Sequence, residues 1–209
     1  MSEEIIQGSQ AWLEMRAGKF TASRFVDLVA RNKKTGEKLK SFKDYVWSVL
    51  VERMTGLPQE GANSYSMAWG HDVEPYAREA YELSTGLFVA ETSFIQHPKY
   101  EFAGASPDGL IDDDGGLELK CPKDSSIHLE RFISGVPPEY VPQVQGCMWV
   151  TGRQWWDFAS YDPRMPTDLR LLVIRINRDE ELIKLIESSV LEAENEVQNL
   201  LTILQRKAA

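Results

Sequence analysis

Ser106-Pro107-Asp108-Gly109, followed by Glu118-Leu119-Lys120, holds the residue types of a divalent-metal phosphodiesterase centre. Carboxylates are hard oxygen ligands suited to Mg²⁺, whose octahedral shell is completed by waters and phosphate oxygens. A cation held there can acidify a water, orient it and neutralise the charge that builds during in-line attack on phosphorus. A lysine beside it can position or deprotonate that water, or stabilise the developing charge.

This chemistry requires Asp108, Glu118 and Lys120 to meet. Along Leu117-Glu118-Leu119-Lys120-Cys121, strand alternation sends Leu117, Leu119 and Cys121 into one apolar layer and Glu118 and Lys120 to the opposite face. Asp112-Asp113-Asp114-Gly115-Gly116 is a strong turn signal. Folding back about it sets Asp108 level with Glu118 and Lys120. The same residues would equally make a turn aspartate and a solvated Glu118–Lys120 pair, because motifs this short recur by chance.

Around this hairpin, helices are expected at 9–17, 21–31, 41–56 and 64–86, with Pro75 marking a kink or a new first turn. Strands are expected near 87–96, 101–106, 108–112 and 116–121. Helices at 124–134 and 138–151 then precede strands at 154–161 and 169–177. A last helix at 179–206 carries Leu182, Ile183, Ile186, Val190, Val197, Leu201 and Leu204 on one stripe that packs on its own domain. This order predicts an α/β fold with a restriction-endonuclease-like core, a mixed central sheet flanked by helices. We expect one domain over 1–209, with N-terminal helices within 9–56, its core at about 60–178 and the C-terminal helix at 179–206.

Over residues 10 to 180 the chain resembles the phage lambda exonuclease group, the YqaJ-type viral recombinase nucleases of the PD-(D/E)xK superfamily. The residues that carry the likeness are Arg16, Thr21-Ala22-Ser23, Met67-Ala68-Trp69-Gly70, Glu74, Ala77-Arg78, Ser106 to Leu110 and Gly116 to Pro122. They continue in Gln143-Val144-Gln145, Met148 to Thr151 and Tyr161 to Met165. The resemblance implies an Mg²⁺ site, with Mn²⁺ as the alternative and two ions per site once DNA is bound. Its ligands are Asp108, Glu118 and the Leu119 carbonyl, with Glu74 as a third acid and Lys120 orienting or activating the water. Glu74 would otherwise stabilise a helix start beside Pro75.

Of Gln143 and Gln145, which point in different directions on a helix, the resemblance selects Gln145 for the site. It also assigns DNA-end contacts to the N-terminal helices of 9–56, and Arg16 and Ser23 to the 5′-terminal phosphate. A guanidinium makes paired hydrogen bonds to phosphate, although Ser23 would serve as well as a helix cap. Arg78 is open between an ion pair with Glu74 and a DNA contact. Two departures from the family pattern bear on end recognition. The segment after Pro122, Lys123 to His128, does not keep a basic residue at the position where the family has an arginine near the scissile region, and Lys33 and Lys34 stand in for an expected arginine.

The net charge of −9 runs against the usual basic surface of a nucleic-acid enzyme. Distribution matters more than the sum: residues 31–40 carry five basic side chains against one acid, in a loop that could touch phosphates or simply stay solvated. The six tryptophans are read mostly as core, and His71, His97 and His128 show no ligand spacing. Cys121 and Cys147 are too few for a disulfide framework or a four-cysteine iron–sulfur clasp. Met1-Ser2-Glu3-Glu4 lacks the features of a secretory signal, and with no apolar run of membrane-spanning length a reducing cytoplasm is expected.

The sequence therefore reads as an Mg²⁺-dependent exonuclease acting on ends of double-stranded DNA. The resemblance implies 5′→3′ polarity, 5′-phosphorylated ends, 3′ single-stranded tails, a homotrimeric toroid and a phage-type single-strand annealing protein as partner. The alternatives are a sequence-specific endonuclease of the same fold and a non-catalytic end-binding scaffold for the annealing protein.

Overall fold

The computed structural model describes residues 5–59 and 65–208, side chains at 65–67 excepted, so Met1 to Glu4, residue 64 of the fourth expected helix and the Met67 side chain lie outside it. Ser9 caps α1 (Gln10–Arg16) by accepting the Trp12 amide at 3.3 Å. The helix expected from 21 instead begins as a short strand, β1 (Phe20–Thr21), and a 3-10 turn at Ala22–Arg24 leads into α2 (Phe25–Val29). Phe20 and Thr21 are buried and pair with a neighbouring strand, a tertiary contact that overrides the local cap signal.

α3 (Lys40–Thr55) ends at Gly56, whose φ of +68° suits the left-handed cap. α4 (Tyr65–Thr85) runs unbroken through Pro75. Only β2 (Ile95–Gln96) and a single Ala90–Leu110 bridge represent the strand expected at 87–96. β3 (Ala103–Ala105), β4 (Gly109–Ile111) and β5 (Gly115–Lys120) follow. Asp124 caps α5 (Ser125–Ser134), accepting the Ser126 amide at 2.9 Å, and α6 (Val141–Thr151) has Pro142 in its first turn. β6 (Trp155–Tyr161), β7 (Leu171–Asn177) and α7 (Glu180–Ala208) complete the order.

The mixed sheet comes in two pieces, β1-β3-β2 and β4-β5-β6-β7. In the larger piece β5 and β6 are parallel, so the chain must cross over between them, and α5 and α6 form that crossover. Helices cover both faces. Leu117 and Leu119 of β5 pack with Val73, Ala77 and Tyr81 of α4, as alternation predicted. On the other side Trp156 joins Phe25, Val49, Met148, Ile186 and Val190 in a core shared by α2, α3, α6 and α7. Burying a side chain such as Leu117 is worth roughly 1.5–3 kcal/mol. The α7 stripe thus packs on the chain itself. No helix among the described residues is long and apolar enough to cross a membrane.

The turn between β4 and β5 is tighter than expected. Asp112 takes the positive φ (+43°), while Gly115 and Gly116 lie inside β5. A Cβ on Gly115 would sit 2.1 Å from the Trp155 ring, and one on Gly116 would sit 2.3 Å from the Trp156 ring. These glycines make room for two indoles. Arg153 pins the hairpin by donating from Nη1 to the carbonyls of Ile111, Asp112 and Gly115 at 3.0, 2.7 and 2.7 Å.

Candidate active site

The hairpin register pairs Gly109 with Leu117, so one further step sets Asp108 across from Glu118. Asp108 Oδ2 accepts the Leu119 amide at 2.6 Å, fixing its carboxylate against β5. Glu118 is 1 % exposed. Its Oε1 accepts the Lys120 ammonium and, at 2.6 Å, the Gln143 amide group, whereas its buried Oε2 has no hydrogen-bond partner among the described residues. Lys120 Nζ also lies 5.0 Å from the centre of the Tyr140 ring. Glu74, on the inward side of α4, is held by Arg78 at 3.0 Å, and Arg78 reaches on to Glu91 at 2.5 Å. Arg78 is therefore an ion-pair residue.

Crowding three carboxylates has an electrostatic cost. Burial, then Glu118 and Glu74, push Asp108 well above the ordinary carboxylate range, and Lys120 only partly opposes them. Burial likewise raises Glu74, against the pull of Arg78. For Lys120 burial acts downward, but Glu118 and Asp108 outweigh it, and the ammonium holds its proton above its usual range.

A divalent cation fits this arrangement. The donors are hard oxygens, one of them orphaned in the interior, and each carboxylate raises the need for positive charge. Among the described residues no three His, Cys, Asp or Glu side chains close into a ready-made cage. The donor set is open, as suits an ion whose shell waters and substrate oxygens finish.

Two cavities meet at this cluster. The larger, about 980 Å³, is lined by Glu74, Asp108, Leu119, Lys120, Arg131 and Tyr140 among others. The smaller, about 560 Å³, shares Asp108 and Lys120 and adds Glu118, Gln143, Trp12, Arg16 and Ser23. Arg16 stacks on Trp12 at 4.1 Å, and both donate to Ser106 Oγ at 3.0 Å, tying α1 to the segment that carries Asp108. Ser23 is exposed within the 3-10 turn and caps no helix, since neither that turn nor α2 has a side-chain cap.

The structure thus joins Asp108, Glu118, Leu119, Lys120, Glu74, Arg16 and Ser23 around one junction, and it corrects the choice of glutamine. Gln145 is buried away from the site, where it donates to the Asn177 carbonyl at 2.8 Å and accepts the Asp179 amide at 2.9 Å. Two residues apart on a helix is about 200°, so only one glutamine of the pair can face β5, and that one is Gln143. Lys33 and Lys34 line neither cavity; they ride an exposed turn in which Asn32 Oδ1 accepts the Lys34 and Thr35 amides at 2.8 and 3.2 Å. Trp12, Ser106 and Tyr140 were not singled out from sequence as site residues. An aromatic or a serine at the mouth of a site has no spacing that separates it from a core residue.

The model of the YqaJ-like viral recombinase domain matches residues 11–154, more than half of the chain. Among solved structures, the alkaline exonuclease LHK-Exo from Laribacter hongkongensis, also solved in complex with dAMP, is 39 % identical with a TM-score of 0.87. That match covers 96 % of this chain and 98 % of the other. A phage-related exonuclease from Haemophilus somnus 129PT, at 18 % identity and a TM-score of 0.70, shares the fold over 89 % of this chain and 96 % of its own. ExoD of Escherichia coli (strain K12) is 44 % identical over 46 residues, 22 % of this chain, and the match spans about half (53 %) of that protein's length.

Proposed function

This chain belongs to the YqaJ-like viral recombinase family, and we propose that it is a metal-dependent exonuclease acting on ends of linear double-stranded DNA. On this reading it degrades one strand 5′→3′ and leaves 3′ single-stranded tails for recombination by strand annealing. The observation that carries the reading is the junction itself. A Glu118–Asp108–Lys120 cluster with an orphaned buried carboxylate oxygen sits where a cavity holding Arg16 and Ser23 meets a second, larger cavity. The alkaline-exonuclease activity in the name of the 39 % identical relative supports it.

Asp108, Glu118 and the Leu119 carbonyl, with Glu74 beside them, would hold Mg²⁺ or alternatively Mn²⁺, two ions with DNA bound. The ion supplies Lewis-acid activation of water and neutralisation of phosphate charge. Gln143 and Lys120 hold Glu118 Oε1, which leaves Oε2 for the ion. Lys120, set between two carboxylates, orients or activates the attacking water or donates to a phosphate oxygen. Arg16, steadied on Trp12 and Ser106, presents its fork to a 5′-terminal phosphate with Ser23 as a second donor. A 5′-phosphorylated end is accordingly the preferred substrate. Assembly as a homotrimeric toroid, a single-strand annealing protein as partner and a cytoplasmic setting in a phage- or prophage-bearing cell belong to the same proposal.

Digestion of linear 5′-phosphorylated duplex beside a closed circle of the same sequence tests it, with wild type and Lys120→Ala compared in Mg²⁺ and in chelator. The expected result is loss of the linear DNA alone, abolished by chelator and by the substitution. Cutting of the circle would establish an endonuclease. End binding without cleavage would leave only the scaffold.

A further inference from the structure

Most arginines that lean on the interior here are matched to an acid: Arg53 to Glu194, Arg78 to Glu74, Arg164 to Asp162 and Arg175 to Asp157. Arg131 is different. It is 5 % exposed, yet among the described residues no carboxylate pairs with it: Nη1 donates to Ser160 Oγ at 3.0 Å, Tyr140 is a second hydrogen-bond partner, Nε is buried with none, and Glu139 acts on it from beyond ion-pair distance. Its guanidinium lies 5.6 Å from the ring centres of both Tyr140 and Phe158. One turn back on the same face of α5, His128 already occupies Ser160 Oγ at 2.9 Å and the Leu169 carbonyl at 2.7 Å, so Ser160 is shared and α5 is anchored without Arg131. Burial still outweighs the pull of Tyr140 and Glu139 and disfavours the cation, and packing alone would be served by an apolar side chain.

Arg131 lines the larger cavity, as do Lys120 and Lys123. The Tyr140 ring is within reach of both cations, its centre 5.0 Å from Lys120 Nζ and 5.6 Å from the Arg131 guanidinium, and all three line the same cavity as Asp108 and Glu74. We propose that Arg131 is a second phosphate subsite, taking a phosphodiester of the cut strand on the 3′ side of the scissile bond. The inference rests on the nuclease reading above for its direction. A strand whose first phosphate lies at Arg16 and whose scissile phosphate lies at Asp108 and Glu118 continues into the other cavity. There the incoming phosphate supplies the close ionic partner that Glu139 does not. A turn of the guanidinium away from Ser160 frees a two-donor edge for it.

The test reads binding, not cleavage, so it survives failure of the exonuclease assignment, which the digestion assay judges separately. Duplexes carrying one neutral methylphosphonate, walked over the first four internal phosphates of the 5′ strand, are bound to wild type, Arg131→Gln and Arg131→Lys with Ca²⁺ in place of Mg²⁺. Wild type should lose about tenfold in affinity at one internal position beyond the first. Arg131→Gln should bind the unmodified duplex about tenfold more weakly and lose nothing further at that position. Arg131→Lys, the variant that keeps the charge if glutamine disturbs the fold, should retain most of the position-specific loss. Free dAMP should compete no better against wild type than against Arg131→Gln, because the subsite reads the strand and not the released mononucleotide. Equal, additive losses in wild type and variant at every position, or no loss on Arg131→Gln, would overturn the proposal. So would a dAMP competition that depends on Arg131.

Discussion

Gly116→Ala offers a sharp test of how β5 holds the site. The new methyl would sit 2.3 Å from the Trp156 ring, more than 1 Å inside ordinary van der Waals contact, and Trp156 is 0 % exposed. That ring has no open side, so the cost falls on β5 itself, two residues from Glu118. Gly115→Ala makes a comparable overlap, 2.1 Å, but with Trp155, which is half-buried at the margin of the core under α4 and stacked against Arg175 at 3.6 Å. Being only partly enclosed, Trp155 has more room to shift than Trp156. Overpacking of a closed core costs about 1–3 kcal/mol, so Gly116→Ala should lose about 3 kcal/mol and Gly115→Ala about 1 kcal/mol. For a chain of this length each kcal/mol moves Tm by roughly 2–4 °C. Melting followed by tryptophan fluorescence should place Gly116→Ala roughly 6–12 °C below wild type and Gly115→Ala roughly 2–4 °C below. DNA digestion well below both melting points should fall for Gly116→Ala far more than for Gly115→Ala. If Gly115→Ala proves equal or worse in stability, the assignment of these glycines to indole packing is wrong.

Other substitutions separate site from scaffold. Gln143→Leu strips a donor from Glu118, a charge-assisted bond worth about 1.5–3 kcal/mol, so Tm should fall roughly 3–12 °C and digestion should also fall at temperatures where the variant is fully folded. Gln145→Leu should lower Tm while leaving the rate at permissive temperature near wild type. Asp108 is raised by burial and its acidic neighbours, so its contribution to the metal-free fold is present below the unfolded value and is lost as pH rises through the raised one. In chelator above that range Asp108→Asn should therefore melt higher than wild type, and the gap should close on acidification; a lower-melting variant would refute the repulsion. Asp162 behaves oppositely. Burial pushes it upward, but hydrogen bonds from Arg164 and Ser125 prevail and hold it low. Its contribution is present above the unfolded carboxylate value and lost as pH falls through the depressed one, so Asp162→Asn should flatten acid unfolding monitored by circular dichroism.

What could be read in advance follows from the range of each signal. Glu118, Leu119 and Lys120 were placed by strand alternation, and Asp108 by a hairpin, both settled within a few residues; the register bears them out. β1 was missed because two residues carry no periodicity of their own, and pairing with β3, some 80 residues on, makes them a strand. The glycine pair read as a turn because glycine marks turns and close packing alike, and the indoles that need the space lie on another strand. The choice between Gln143 and Gln145 turned on helix phase against a distant sheet. Arg131 had no sequence signal at all, since only burial distinguishes it from a surface arginine.

The charge balance that first seemed to oppose a phosphate-binding role is consistent with one that reads ends. An enzyme that holds duplex by its backbone spreads cations over a face, and its affinity then falls steeply with salt. Here the sum is −9, and cations are instead set at particular points along one path: Arg16 and Lys19 in the smaller cavity, Lys120 at the junction, Lys123 and Arg131 in the larger. Lys33 and Lys34, the obvious basic run, stand apart from it. On the proposed reading, few cations placed in a groove beside repelling carboxylates would make a strand welcome only where its phosphates fall in register and a divalent ion balances the acids. Selectivity for a correctly seated strand would then come from the same electrostatics that destabilise the metal-free site.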